Sequence, residues 1–173
     1  MAATDPVDVV DDDDRVVNSV TRAEMRARNL RHRAVGILVL SPAGELLVHR
    51  RSDDKDVWPG RWDIAAGGVV DAGETYEVAA RRELAEELGI EGASLRGIGA
   101  GRFDDDHVRL FAQFFSCTWD GPIEFTDGEV AEARWVLWPE LAGLLAEHPF
   151  CPDSVTLGLP FAMELLRVRE GTR

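Results

Sequence analysis

The chain has little cysteine, few positive charges and no long apolar run, and each shortage excludes something. Two cysteines, Cys117 and Cys151, make neither a metal-ligand spacing nor a disulfide framework, so free thiols in a reducing cytoplasm are expected. Nineteen Lys and Arg against 32 Asp and Glu give a formal net charge of −13. That argues against a general surface for a nucleic-acid polymer or an anionic membrane. No apolar segment is long enough to span a bilayer. The N-terminus is acidic rather than basic and then apolar, so no signal peptide is expected and the chain reads as cytoplasmic. A nucleotide-sized ligand stays open, because a local basic patch and bound metal can override the global sign.

What is present is a hydrophobic content of 45% in 173 residues, enough for one packed domain. Its organising stretch runs from Gly68 to Ile90. The spacing predicts a helix over Thr75–Leu88, with Val78, Ala79, Leu84 and Leu88 as its buried stripe. Gly73 breaks the chain ahead of it, and Gly89 stands where a left-handed C-terminal cap needs a residue without a Cβ. Glu83, Glu86 and Glu87 occupy i, i+3 and i+4, which places three carboxylates on one face. Like charges at those spacings cost roughly a few tenths of a kcal/mol per pair in an isolated helix. Acids near a helix C-terminus also oppose its dipole. Arg82, four residues before Glu86, offsets part of this, and a hard divalent cation such as Mg²⁺ or Mn²⁺ would offset more. A solvated acidic face is the alternative.

The chain up to about Val20 reads as a polar tail, with the acidic run Asp11–Asp14; two short strands around an acidic turn are the alternative. A calcium loop is excluded by the missing alternation of oxygen ligands and glycine. Thr21 caps a short helix over residues 22–29. A buried strand over residues 32–41, a turn at Pro42–Gly44 and a strand over residues 45–51 form a hairpin. Arg50, Arg51 and Lys55 then make the basic cluster nearest the organising stretch, either as solvated surface or as phosphate contacts. Residues 62–69 read as a strand delivering Gly67 and Gly68, a pair that permits close approach of a ligand. Strands follow over about 94–102, 109–118 and 133–137, then a helix over 139–147 and a last helix from Asp153 or Ser154, broken or kinked at Pro160. Trp58 and Trp62 read as core aromatics, with stacking on a base as the alternative, and His32 and His107 as lone histidines without a ligand partner. This pattern is α/β (α+β), a sandwich rather than a doubly wound sheet, with residues 1–29 as an N-terminal segment and 30–173 as the domain.

The organising stretch reads G-x5-E-x7-R-E-L-x-E-E-x-G-I, with every specified position filled. It resembles the signature box of the Nudix hydrolases, and the flanks Trp58–Asp63 and Glu129–Val136 look like that family too. The resemblance implies an α/β/α sandwich with a mixed sheet, in which a loop–helix–loop holds divalent metal against a diphosphate. It implies Glu83 and Glu87 as ligands to Mg²⁺ or Mn²⁺, Glu86 as ligand or neighbouring partner, and the carbonyl of Gly67 as a further ligand. One of the three glutamates takes the proton from water. Arg82 orients the acids, while Gly68, Glu74 and Gly89 are structural. Relatives often carry a metal-binding or catalytic glutamate six residues before the tryptophan numbered Trp135, which is Glu129. Glu124, Asp127 and Glu132 are its competitors.

The expected activity is therefore hydrolysis of a diphosphate bond in a nucleoside diphosphate-linked or related small molecule. A non-catalytic Nudix domain that binds or regulates is one alternative, although such a module has no need of three clustered acids. Isomerisation is another, since Leu30–Ala34 and His49–Lys55 look like the isopentenyl-diphosphate isomerase branch. That chemistry uses a cysteine just upstream of the box helix, and Trp62–Gly68 has none. Dimers are common in the superfamily, and an N-terminal hairpin is a natural element for exchange between two copies.

Overall fold

The computed structural model describes residues 2–125 and 128–170. In chain order the elements are β1 (Pro6–Val10), β2 (Val16–Thr21), α1 (Arg22–Ala27), β3 (His32–Leu40), β4 (Leu46–Arg51) and β5 (Trp62–Asp63). They continue with α2 (Tyr76–Leu88), β6 (Arg96–Asp104), β7 (Arg109–Thr118), β8 (Val130–Val136), α3 (Trp138–Glu147) and α4 (Pro152–Glu170).

The central strand is β3. It pairs in parallel with β7 along its whole length, from His32 opposite Leu110 to Leu40 opposite Thr118. Successive side chains point to opposite faces of a strand, and both faces of β3 are covered. Leu38 and Leu40 enter a core with Leu46, Val48, Phe114 and, from the helices, Leu141, Ala162 and Leu166. Val35, Ile37 and Val39 enter a second core with Ala79, Ala80, Leu84 and Leu88 of α2. The unbroken apolar run of β3 follows from this double burial. The result is an α/β/α sandwich, with α2 on one face and α3 and α4 on the other. The sheet is mixed: β6 is antiparallel to β7, β5 and β8 are antiparallel to β4, and β1 joins β3.

Three readings of the sequence change. First, the β3–β4 hairpin pairs at one rung, Leu40 opposite Leu46, because residues 64–69 take the place beside β3. The amide of Ile37 donates to the Ala66 carbonyl at 2.7 Å and that of Val35 to the Gly68 carbonyl at 2.9 Å. The strand expected over 62–69 is thus two residues on β4 followed by a crossing to β3. At the crossing the Asp63 carboxylate accepts the Ala65 amide at 3.1 Å. Second, Val78 is 54% exposed; the buried face of α2 carries Glu83 and Glu87 beside its aliphatic residues. Third, of the break or kink expected at Pro160, the break is absent: α4 continues through that residue.

Residues 6–21 are not a tail but the alternative reading, two short strands around an acidic turn. Strands β1 and β2 pair from Pro6 opposite Thr21 to Val10 opposite Val16. The acidic run is their turn. Asp11 accepts the amides of Asp13 and Arg15, Asp12 pairs with Arg31 and Arg102, and Asp14 accepts from Arg33 at 2.7 Å and from the Tyr76 hydroxyl at 2.9 Å. Thr21 caps α1 by accepting the Glu24 amide at 3.2 Å.

Candidate functional site

Two glycines bring the loop before α2 against that helix. Gly67 has φ of +150°, and a Cβ there would stand 2.1 Å from the Val35 carbonyl oxygen. A Cβ on Gly68 would stand 2.6 Å from a carboxylate oxygen of Glu83. The first glycine is required by the backbone of β3 and the second by the acid it faces. The Gly67 amide donates to Glu87 at 2.9 Å. Helix α2 starts where the Thr75 hydroxyl accepts the Val78 amide at 3.3 Å. It ends at Gly89, left-handed with φ of +65°, whose amide donates to Ala85.

One turn apart on α2, Glu83 and Glu87 are buried, at 6% and 1% exposure, whereas Glu86 is exposed. Burial, with the charge of Glu83 added, pushes the Glu87 carboxyl up to about 8. Burial also raises Glu83, against the pull of Arg82. Arg82 is the fastener of the loop. Its guanidinium donates to Glu74 at 2.9 Å, Glu83 at 2.7 Å, Glu86 at 3.2 Å and the Val69 carbonyl at 3.1 Å. Burial would depress its pKa, but the bonds to Glu74 and Glu83 outweigh that and raise it. Glu74 accepts the Asp71 amide at 3.1 Å, so it braces the loop from the far side.

Lys55 is the one lysine in the chain. Its ammonium lies 3.8 Å from Glu87 and is bonded to Glu129. Burial lowers its pKa, with the nearby Arg51 acting in the same direction and Glu87 against it. Glu129, from the loop before β8, is thereby linked through Lys55 to Glu87. Glu132 instead pairs with Arg50 and Arg134, and the amide of Glu124 caps α2 at the Leu88 carbonyl. Asp127 lies outside the described residues.

Gly67, Gly68, Glu83, Lys55 and Glu129 line one cavity with Arg51 among others, whereas Glu87, 1% exposed, and Arg82 do not. Arg50 does not line it. Its guanidinium faces Asp53 and Glu132, so the basic cluster divides and two of its three members reach the cavity. The cavity also takes in His32, Trp58, Asp63, Cys151, Asp153 and Ser154, none of which the sequence singled out as a site residue. No spacing links β3, the β4–β5 loop and the start of α4; only the fold brings them together. Trp58, at φ of +54° and stacked under Arg61, lines the cavity rather than being wholly core. Buried Arg51 Nε, Trp58 Nε1, Asp153 Oδ1 and Ser154 Oγ have no hydrogen-bond partner among the described residues, and a buried polar atom left so is expected to meet one in a ligand or solvent. Burial drives His32 down to about 3 and keeps it neutral. Burial and Asp63 push the Cys151 thiol up, and burial with Asp63 raises Asp153 to about 6.

As the side chains stand, no three His, Cys, Asp or Glu among the described residues converge as a cation cage. The donor chemistry nonetheless fits a hard cation. Glu83, Glu87, Glu129 and the Gly67 carbonyl are all oxygen donors, and two of them are carboxylates whose pKa values burial raises, so a cation placed beside them would favour their charged forms.

The family model for the NUDIX domain matches residues 30–156. An uncharacterised Nudix hydrolase of Pseudomonas aeruginosa is 48% identical over 147 residues, covering 84% of this chain and 86% of that protein. The uncharacterised Nudix hydrolase YfcD of Escherichia coli is 41% identical over 155 residues, covering 90% and 85%. Among solved structures, DR0079 from Deinococcus radiodurans superposes with a TM-score of 0.73 at 29% identity, over 94% of this chain and 98% of that one. The NUDIX domain of Shewanella oneidensis NrtR, solved with ADP ribose, has a TM-score of 0.62 at 20% identity over 87% and 99%, a likeness of fold.

Proposed function

Starting from the fact that this chain belongs to the NUDIX domain family, we propose that it is a Mg²⁺- or Mn²⁺-dependent hydrolase cleaving a diphosphate bond in a nucleoside diphosphate-linked or related small molecule. The observation that carries this is the pair of buried carboxylates one turn apart beside the Gly67–Gly68 loop: Glu83 lines the cavity, and Glu87, buried next to it, is held by the Gly67 amide. Burying both acids is costly, and only part of that cost is offset by Arg82 on Glu83 and Lys55 beside Glu87.

Glu83, Glu87, Glu129 and the Gly67 carbonyl would hold the cation, with Glu86 as the outer carboxylate. Bound there, the cation would neutralise phosphate charge and lower the pKa of its water. The protein's own groups do the rest. Arg82 fixes Glu83 and Glu86 in orientation through one guanidinium. Gly67 N–H holds one oxygen of Glu87, leaving the other towards Lys55. Lys55 moves from the acids to phosphate oxygens when substrate and cation enter, and Arg51 receives phosphate beside it. A carboxylate oxygen of Glu83, Glu86 or Glu87 takes the proton of the attacking water.

A panel of diphosphates, including ADP-ribose, dinucleotide polyphosphates and nucleoside triphosphates, tests the proposal when products are resolved by chromatography. Cleavage at a P–O–P linkage should appear with Mg²⁺ or Mn²⁺ and vanish on chelation. Turnover that persists after exhaustive chelation, or no cleavage of any member with either metal, contradicts it.

A further inference from the structure

The cavity has a wall that the family match does not reach. Residues 1–29 precede the matched segment, yet Arg22 and Arg26 of α1 line the same cavity as Gly67, Gly68 and Glu83. The N-terminal hairpin holds them there. The Arg22 amide donates to the Asp5 carbonyl at 2.9 Å, and the Ala72 amide, just after the glycine loop, donates to the Pro6 carbonyl at 3.0 Å. Gly73 donates to the Asp8 carboxylate at 2.9 Å. Met25 between the two arginines is buried with Val7 and Val69. The segment that positions the arginines is therefore bolted to the loop that positions the acids.

The two arginines crowd. Their side chains are only 16% and 20% exposed, and both turn to a single carboxylate, Asp56, each at 3.2 Å. Arg51 and Lys55 line the same cavity. Four cations thus line one cavity with the acids Asp63, Glu83, Glu129 and Asp153; Lys55 is matched by Glu87 and Glu129, and Arg22 and Arg26 share Asp56. Two guanidiniums held together away from water repel each other, and a bound anion would offset that repulsion. The crowding is felt at Arg26, whose pKa burial lowers, with Arg22 and Arg51 lowering it further against Asp56. Planar guanidinium forks match the oxygens of a phosphate group.

We propose that Arg22 and Arg26 bind a second anionic group of the substrate, a terminal phosphate separate from the linkage that is cut, so that the N-terminal hairpin and α1 form part of the binding site. This rests on the hydrolase reading for the identity of the first group. It makes the preferred substrate one that ends in a free phosphate rather than in an esterified one. The competing role for the pair is a staple that fixes α1 to the β4–β5 loop through Asp56.

Calorimetric binding of inorganic tripolyphosphate to the full chain, with chelator present and no divalent metal, separates these roles. The Arg22→Gln/Arg26→Gln variant should bind ~10-fold or more weakly than the parent, the scale of one or two lost charge-assisted contacts. Asp56→Asn should bind at least as tightly, because it removes the competing carboxylate and keeps both cations. Unchanged affinity in the double variant overturns the proposal, as does equal weakening by Asp56→Asn. If the double variant melts as a misfolded protein, Arg22→Lys/Arg26→Lys decides: weaker binding supports the fork and unchanged binding overturns it. Kinetics with Mg²⁺ add a second arm. The KM for a nucleoside triphosphate should rise in the glutamine variant relative to that for a nucleoside diphosphate sugar, and an unchanged ratio counts against the proposal. Arginine-dependent tripolyphosphate binding by a protein that hydrolyses nothing supports this inference and contradicts the hydrolase reading. Hydrolysis with arginine-independent binding does the reverse.

Discussion

Glu87 sits where a carboxylate is least comfortable, buried and one turn from another acid. Exchange for its neutral isostere should therefore separate function from stability. Glu87→Gln is expected to lower kcat on the order of 10²-fold or more, the scale of a lost ligand or base. The metal-free melting temperature should hold or rise, because the amide carries no buried ionisable group yet can still accept the Gly67 N–H. Near-normal kcat would take Glu87 out of the site. Glu129→Gln should weaken Mg²⁺ activation while Glu132→Gln, paired with arginines away from the cavity, should change little; identical metal titrations for both would remove Glu129. His32 gives a pH prediction of definite sign. Its native pKa near 3 lies below the ordinary 6.5, so above 6.5 it contributes nothing. As pH falls below 6.5 the unfolded chain takes up a proton that the native state refuses, and stability is lost down to about 3 at no more than ~1.4 kcal/mol per pH unit. Asp153 acts in the opposite direction. Raised to about 6 from 3.8, it costs stability above 6 and returns it as pH falls towards 3.8. Urea denaturation of His32→Gln between pH 7 and 5 should show a flatter decline than the parent, and parallel curves would contradict the assignment.

At the scale of the element, α2 and its two ends were legible because their signals are local. Thr75 at the cap, Gly89 in the left-handed region and Arg82 four residues before Glu86 are all consequences of helix geometry. The apolar stripe was less legible. Val78 was counted inward because it is aliphatic, while two acids were counted as a polar face; the fold reverses this, since α2 turns Glu83 and Glu87 towards the Gly67–Gly68 loop. The two glycines at either end of the unit should differ in kind. Gly89→Ala forces a left-handed alanine, with its Cβ 3.1 Å from that of Glu124. It should cost about 1–2 kcal/mol and lower the melting temperature by a few degrees, with kcat little changed. Gly67→Ala would drive a Cβ into the Val35 carbonyl, so the loop must move away from Glu87. Here kcat should fall along with stability. Calorimetric melting with steady-state kinetics on both variants checks this, and equal loss of kcat in the two would refute the distinction.

Across the whole molecule, the N-terminal hairpin links the sheet to the site. Met25, 1% exposed, packs with Val7 and Val69 in a small core between α1 and the glycine loop. Met25→Ala should cost about 2–5 kcal/mol and increase amide exchange in both the hairpin and residues 67–73. Exchange that rises in the hairpin alone would show the two to be uncoupled.

The sequence by itself determined an α/β sandwich, the box, its helix and caps, and the acids that the helix carries, while the resemblance of the box implied the α/β/α layering. Each of these depends on residues within a turn or two, or on a pattern along one strand such as the apolar run of β3. Tertiary structure alone decided which of those acids is buried and that Lys55 stands between Glu87 and Glu129. It also decided that Arg50 turns away and that residues from β3, the β4–β5 loop and the start of α4 share one cavity with two arginines of α1. The reason is physical. The parallel pairing of β3 with β7 and the crossing of residues 64–69 onto β3 are long-range choices, and no local spacing encodes where they bring distant side chains.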